Sequence, residues 1–160
     1  TVLWYYGKDM VNKDMNKIIQ IIYKNFVHVK NIPNLEHTYD NINQIINKFD
    51  TLLLVALGDF DGQKQMLSYL LCSPVKIKSH NMLHIYYLFT SPLYRDLGIS
   101  TYLLNQAESY CKDIKLDGLS ITYDSYDHDI YKYYLSNNYR QHADFESNQQ
   151  HKVLIKFVSN

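Results

Sequence analysis

The stretch Phe89-Thr90-Ser91-Pro92-Leu93-Tyr94-Arg95-Asp96-Leu97-Gly98-Ile99-Ser100-Thr101 holds the residues best suited to chemistry. An extended run enters a short loop, and the loop opens directly into a helical pattern. The first turn of a helix presents unpaired N–H groups and the positive end of the peptide dipole, a natural seat for phosphate. Gly98 lets backbone approach a ligand with no Cβ in the way. Ser100 and Thr101 add hydroxyl donors, and Arg95 adds a charge. On spacing alone the plainer account is preferred, an ordinary strand–loop–helix junction in which glycine only eases the turn.

The surrounding elements follow from periodicity. Val2–Tyr6 reads as a strand, and residues 10–26 carry apolar side chains at amphipathic-helix spacing. Ile32-Pro33-Asn34 breaks that pattern, since proline cannot continue a helix interior. Ile42, Ile45, Ile46 and Phe49 predict a second helix. Strands are predicted at 51–57, 64–78 and 82–90, with turns at 58–62 and 78–81 and a bulge or edge position at Ser73-Pro74. A helix over 99 to about 114, with Ile99, Leu103, Ala107, Cys111 and Ile114 on one stripe, leads to a strand at 119–123. Strand, helix, strand implies a right-handed crossover and a parallel pair. A last helix at about 129–137 precedes strands at 139–146 and 152–158. The expectation is a single α/β domain over 1–160, with a mixed, mostly antiparallel twisted sheet of about seven strands flanked by about four helices.

Arg95-Asp96-Leu97-Gly98-Ile99-Ser100 resembles the signature of the GNAT acyltransferases: Arg or Gln, two residues, Gly, one residue, then Gly or Ala. Pro92-Leu93-Tyr94 matches the usual lead. Ser100 departs from the rule but keeps its backbone N–H. A second family feature, tyrosine followed by Gly-Phe, stands as Tyr134-Leu135-Ser136-Asn137-Asn138-Tyr139. Asparagine also tolerates the left-handed position that ends a helix. The resemblance is specific over 82–139 and topological elsewhere. It implies a GNAT-like fold whose parallel pair splays at the cofactor site, and acetyl-CoA as co-substrate with no metal. The pantetheine arm would pair with backbone at Leu88, Phe89 and Thr90. The pyrophosphate would rest on the N–H groups of Asp96, Leu97, Gly98, Ile99, Ser100 and Thr101. Asp127 stands where relatives often carry an asparagine facing the cofactor. Ile130 replaces a commonly small residue beside the pantetheine and narrows the slot.

Acyl transfer from a thioester needs a neutral amine, a site for the oxyanion and a proton for the departing thiolate. The resemblance makes Tyr134 the acid; a phenol near pKa 10 is protonated at neutral pH. His84 is the candidate base, on a strand whose alternation puts His84, Tyr86, Leu88 and Thr90 on one face. His128 and Asp124 are in reserve, and the N–H of Phe89 or Thr90 is expected to polarise the carbonyl. Asp124, Asp127 and Asp129 read first as acids at a helix start. Their sharper reading is a rim recruiting a cationic amine. Cys72 and Cys111 have no neighbouring His in the pattern, so direct transfer is expected.

Composition narrows the field further. Lys+Arg and Asp+Glu number 16 each, and the two arginines Arg95 and Arg140 make no basic face for nucleic acid. The longest apolar run, Leu52–Leu57, is far short of a membrane span. Nothing at the N-terminus resembles a signal peptide, and two solitary cysteines suit a reducing, cytoplasmic setting. The predicted function is therefore acetyl transfer from acetyl-CoA to a primary amine of a small molecule or peptide, possible homodimerisation resting on family analogy. A non-catalytic CoA-binding sensor of the same fold is the alternative, and a tyrosine-rich interaction scaffold the weaker third reading.

Overall fold

A computed structural model describes residues 2–6, 15–25, 38–48, 50–145 and 151–158. The elements are β1 (Val2–Tyr6), α1 (Met15–Asn25), α2 (Tyr39–Ile46), β2 (Leu52–Phe60), β3 (Gln63–Ile77), β4 (His80–Thr90), α3 (Ile99–Asp113), β5 (Gly118–Asp124), α4 (His128–Ser136) and β6 (His151–Phe157). A 3-10 turn, Pro92–Tyr94, links β4 to α3. The strands lie in sequence order in one sheet, antiparallel except for the β4–β5 pair. The mixed sheet and four described helices follow expectation, but the described residues form six strands rather than about seven. The strand expected at 139–146 is reduced to a single bridge between Arg140 and Ile155, and residue 146 lies outside the described residues. The expected helical residues 10–14, 26 and Phe49, and the break at Ile32–Asn34, also lie outside them.

The continuous apolar run of β2 is explained by burial on both faces of the sheet. Leu52 and Leu54 point into a core with Leu103, Leu104, Ala107 and Cys111 of α3. Leu53 and Val55 point into a second core with Ile19, Ile22, Ile42 and Ile45 of α1 and α2. Each fully buried leucine contributes about 1.5–3 kcal/mol relative to exposure. Ile114, expected on the buried stripe, instead caps the end of α3 and is exposed. Pro74 sits past the last β2 partner of β3, where β3 pairs only with β4, so its missing N–H interrupts no ladder on the β2 side.

Two register shifts shape the sheet near its functional end. Ala56 pairs with Ser68 but Leu57 with Met66, which leaves Leu67 as an extra residue in β3. Cys72 pairs with Ile85 but Leu71 with Tyr87, which leaves Tyr86 as an extra residue in β4. Each is a β-bulge, and each reverses the facing of everything beyond it.

Gly118 opens β5 where β4 and β6 close in on both sides. A Cβ there would stand 2.3 Å from the Lys156 carbonyl oxygen and 2.9 Å from Phe157 Cα, both backbone. Gly118→Ala is therefore expected to destabilise the fold by about 1–3 kcal/mol in urea unfolding. An unchanged midpoint would show that the strand yields.

Candidate active site

The β4–β5 pairing runs only from Met82↔Gly118 to Ile85↔Ile121, although β4 continues to Thr90 and β5 to Asp124. The strands therefore part just as the Tyr86 bulge begins. Ser91 N–H donates to Leu67 C=O at 2.8 Å, which fixes the phase of the β3–β4 ladder. By alternation the main-chain groups of Phe89 face β3, while those of Leu88 and Thr90 face the gap. Leu88 and Thr90 are thus placed as expected, whereas Phe89 is not available to pair with a ligand in the gap.

At the mouth of this gap lies the loop expected to seat an anion. Gly98 takes φ +79° as the cap of α3, and Asp96 takes φ +63°. Tyr102 N–H is the first amide to bond back, to Gly98 C=O at 2.9 Å. None of the six amides from Asp96 to Thr101 donates a hydrogen bond within the described residues. Six donors at a helix start, three of them on exposed residues, can hold an anion without displacing a protein partner. Arg95 is exposed, its Nε 3.4 Å from Thr90 O, so its charge stands beside the same loop.

The hydroxyls behave differently from expectation. Ser68 Oγ donates to Phe89 O at 2.7 Å and lies 3.0 Å from Thr90 Oγ1, which in turn contacts Ser100 Oγ. Each hydroxyl has one hydrogen, so the chain must run Ser100 to Thr90 to Ser68 to the Phe89 carbonyl. Ser100 thus ties the loop to β4 rather than offering a free donor. Thr101 Oγ1 meets Tyr133 Oη at 3.0 Å and joins α3 to α4.

The other candidates divide. Tyr134 is buried in the α3/α4 core, edge-on to Tyr133 and Tyr139, and its hydroxyl has no hydrogen-bond partner among the described residues. Burial pushes its phenol well above the ordinary range, so it is a protonated donor. The chain leaves its helix as expected, with Asn138 at φ +70° and Tyr139 N–H donating to Tyr134 O at 2.9 Å. Asp127 Oδ1 accepts from Ile130 N–H at 3.1 Å and caps α4. Asp124 Oδ1 accepts from Tyr126 N–H, and Asp129 lies in the first turn of α4. Ile130 packs against the α3/α4 core, and His128 is exposed at the start of α4.

His84 does not share a face with Leu88 and Thr90. The extra residue at Tyr86 reverses the phase, so Leu88 joins the α3/α4 core while Tyr86, Tyr87 and Phe89 join the α1/α2 side. His84 Nδ1 lies 2.8 Å from Ser120 Oγ, its partner across the parallel pair, and its ring is edge-on to Tyr86 at 4.9 Å. Sequence reasoning set Tyr86 on the face of His84 without giving it a role, and it missed Ser120 and Lys48, whose Nζ donates to Tyr86 Oη at 3.2 Å. Only the cross-strand register and the packing after α2 bring those two to His84 and Tyr86. Both cysteines are buried, and burial pushes the Cys111 thiol up to about 12 and Cys72 higher still, so neither is a ready nucleophile.

The family comparison agrees with this geometry: residues 15–139 match the model of the acetyltransferase (GNAT) family. The chain belongs to the GNAT family. Membership makes it an acyltransferase, the enzyme class that its sequence suggested. No protein of curated function matches this GNAT chain in sequence. Its fold is similar to that of Arabidopsis thaliana NAA60 in complex with acetyl-CoA, with TM-score 0.69 and 15% identity over 99% of both chains. It is also similar to a chain of the NatC complex bound to Gag peptide and CoA, with TM-score 0.72 and 14% identity over 99% of both. The ribosomal-protein-S18-alanine N-acetyltransferase of Escherichia coli gives 0.67 and 9% identity over 100% of this chain and 96% of that one.

Two outcomes are expected. Ser100→Ala should cost about 0.5–1.5 kcal/mol in urea unfolding through loss of the hydroxyl chain, while Ser100→Asp should weaken acetyl-CoA binding at least ten-fold by calorimetry, a carboxylate facing phosphate. Burial, reinforced by Lys48, holds the His84 imidazole down at about 4 against its ordinary 6.5. The unfolded chain therefore takes up a proton that the fold refuses. His84's contribution is full above about pH 6.5 and is lost as pH falls toward about 4. Chemical unfolding across that window should show a flatter limb for His84→Gln than for the native chain.

Proposed function

We propose that this GNAT protein transfers the acetyl group of acetyl-CoA directly to a primary amine of a small molecule or peptide. The observation that carries the reading is the run of six uncommitted amides from Asp96 to Thr101, opening onto the gap where β4 and β5 part. Those amides would hold the diphosphate, and the Leu88 and Thr90 main-chain groups would align the pantetheine arm. Acetyl-CoA supplies the activated carbonyl.

The amide of Thr90 faces the gap and is suited to accepting charge from the carbonyl oxygen as an amine adds. In the tautomer whose Nδ1–H donates to Ser120 Oγ, the neutral His84 ring presents an Nε2 lone pair that can orient the amine. Its low basicity makes it an aligning acceptor rather than a proton sink, and the amine's proton leaves to water. The C–N bond forms, the C–S bond breaks, and Tyr134 donates its phenolic proton to the departing sulfur and regains one from water, which has taken up the amine's proton. Holding amine and thioester together contributes much of the rate.

Tyr134→Phe is expected to lower kcat on the order of 10²-fold or more while leaving the acetyl-CoA Kd unchanged, as read by thiol release and calorimetry. Equal loss of both would give Tyr134 a packing role only. Tight CoA binding with no thiol release on any amine would favour the sensor reading.

A further inference from the structure

We propose that the acceptor carries an anionic group, a carboxylate close to its reacting amine, and that Lys48 and Tyr86 read it. The inference rests on the transferase reading above and adds the class of substrate. The α3 and α4 helices cover one face of the sheet, and the amide seat belongs to that side. An amine attacking a carbonyl held in the β4–β5 gap therefore arrives from the α1/α2 face. On that face, where the strands part, stand His84, Tyr86 and Ser120.

Alternation from His84 puts Tyr86 on this face, and the bulge leaves it without a β3 partner while bringing Tyr87 to the same side. Lys48, two residues past the end of α2, reaches over it. Its Nζ lies 3.2 Å from the Tyr86 hydroxyl and 5.0 Å from the ring centroid, so the cation is held by both phenol oxygen and π-face. The ammonium is exposed and forms no ion pair with a described carboxylate. One donor is committed to Tyr86, which leaves others for an incoming anion.

The acids expected to form a cation-recruiting rim belong to the start of α4: Asp127 caps it, Asp124 accepts from the Tyr126 amide, and Asp129 lies in its first turn. Beside His84 and Tyr86 the described cation is Lys48. A cationic acceptor would meet repulsion there, and an anionic one attraction together with a second hydrogen bond from the Tyr86 hydroxyl.

The test uses three peptides that differ only at the second residue, Ser-Glu-Gly-Gly, Ser-Gln-Gly-Gly and Ser-Lys-Gly-Gly amides, with free serine as the small-molecule arm. Peptide binding in the presence of CoA and thiol release from acetyl-CoA are both measured. The Glu peptide or free serine is expected to show a KM about ten-fold below that of the Gln peptide, the advantage shrinking with added salt. Lys48→Glu should invert the order toward the Lys peptide, with the acetyl-CoA KM unmoved, a result no packing role would give. Turnover with equal KM for all acceptors, or a preference that survives Lys48→Glu, would overturn the Lys48 site while leaving the transferase reading intact. An anion preference in binding with no thiol release would support the site and sink the transferase reading instead.

Discussion

The cofactor reading of this molecule depends on main-chain groups left without partners. A buried or half-buried peptide group demands a hydrogen bond, and a sheet normally supplies it from the next strand. Here β4 and β5 stop pairing after Ile85 and Ile121, so the inward groups of Leu88 and Thr90 look into a gap. A few residues on, the loop before α3 withholds partners from six amides in succession. A cleft of about 400 Å³ against the first turn of α3 is lined by Leu97, Gly98 and Ile99 of that same loop together with Ala56, Leu57, Leu67 and Tyr102, and by no residue of β5 or α4.

Holding such groups apart requires rigid surroundings, which the two cores provide. Leu52 and Leu54 anchor β2 to α3, and Leu53 and Val55 anchor it to α1 and α2, so the sheet is gripped on both faces. The Ser100–Thr90–Ser68 chain and the Thr101–Tyr133 contact then fix the start of α3 to β4 and to α4. Side chains that might have bound a ligand instead hold the frame that presents the amides.

Local signals made most of this legible. The loop before α3 announced itself through Gly98 before a helical stripe, and Asn138 through the conformation that only a few residues accept at a helix end. The meander and the crossover followed from apolar runs and turn residues. What sequence left dark was phase. Nothing in His84-Ile85-Tyr86-Tyr87-Leu88 marks Tyr86 as an extra residue, so simple alternation put His84 on the face of Leu88, and the family resemblance by itself could not separate the Phe89 main chain from that of Leu88 and Thr90. The strand expected at 139–146 failed for a similar reason. Its residues have extended-chain character, but Arg140 alone pairs with β6, and Phe145 folds under to pack with Met82 and Ile155.

The Tyr86 bulge lets β4 carry one residue more than β3 matches without disturbing the ladder on either side. Cys72 meets Ile85 and Leu71 meets Tyr87, so a chain lacking Tyr86 would keep a regular ladder, with Leu88 and Thr90 facing as they do now. What it would lose is the phenol that holds Lys48, so the extra residue is spare to the sheet and serves the surface beside His84.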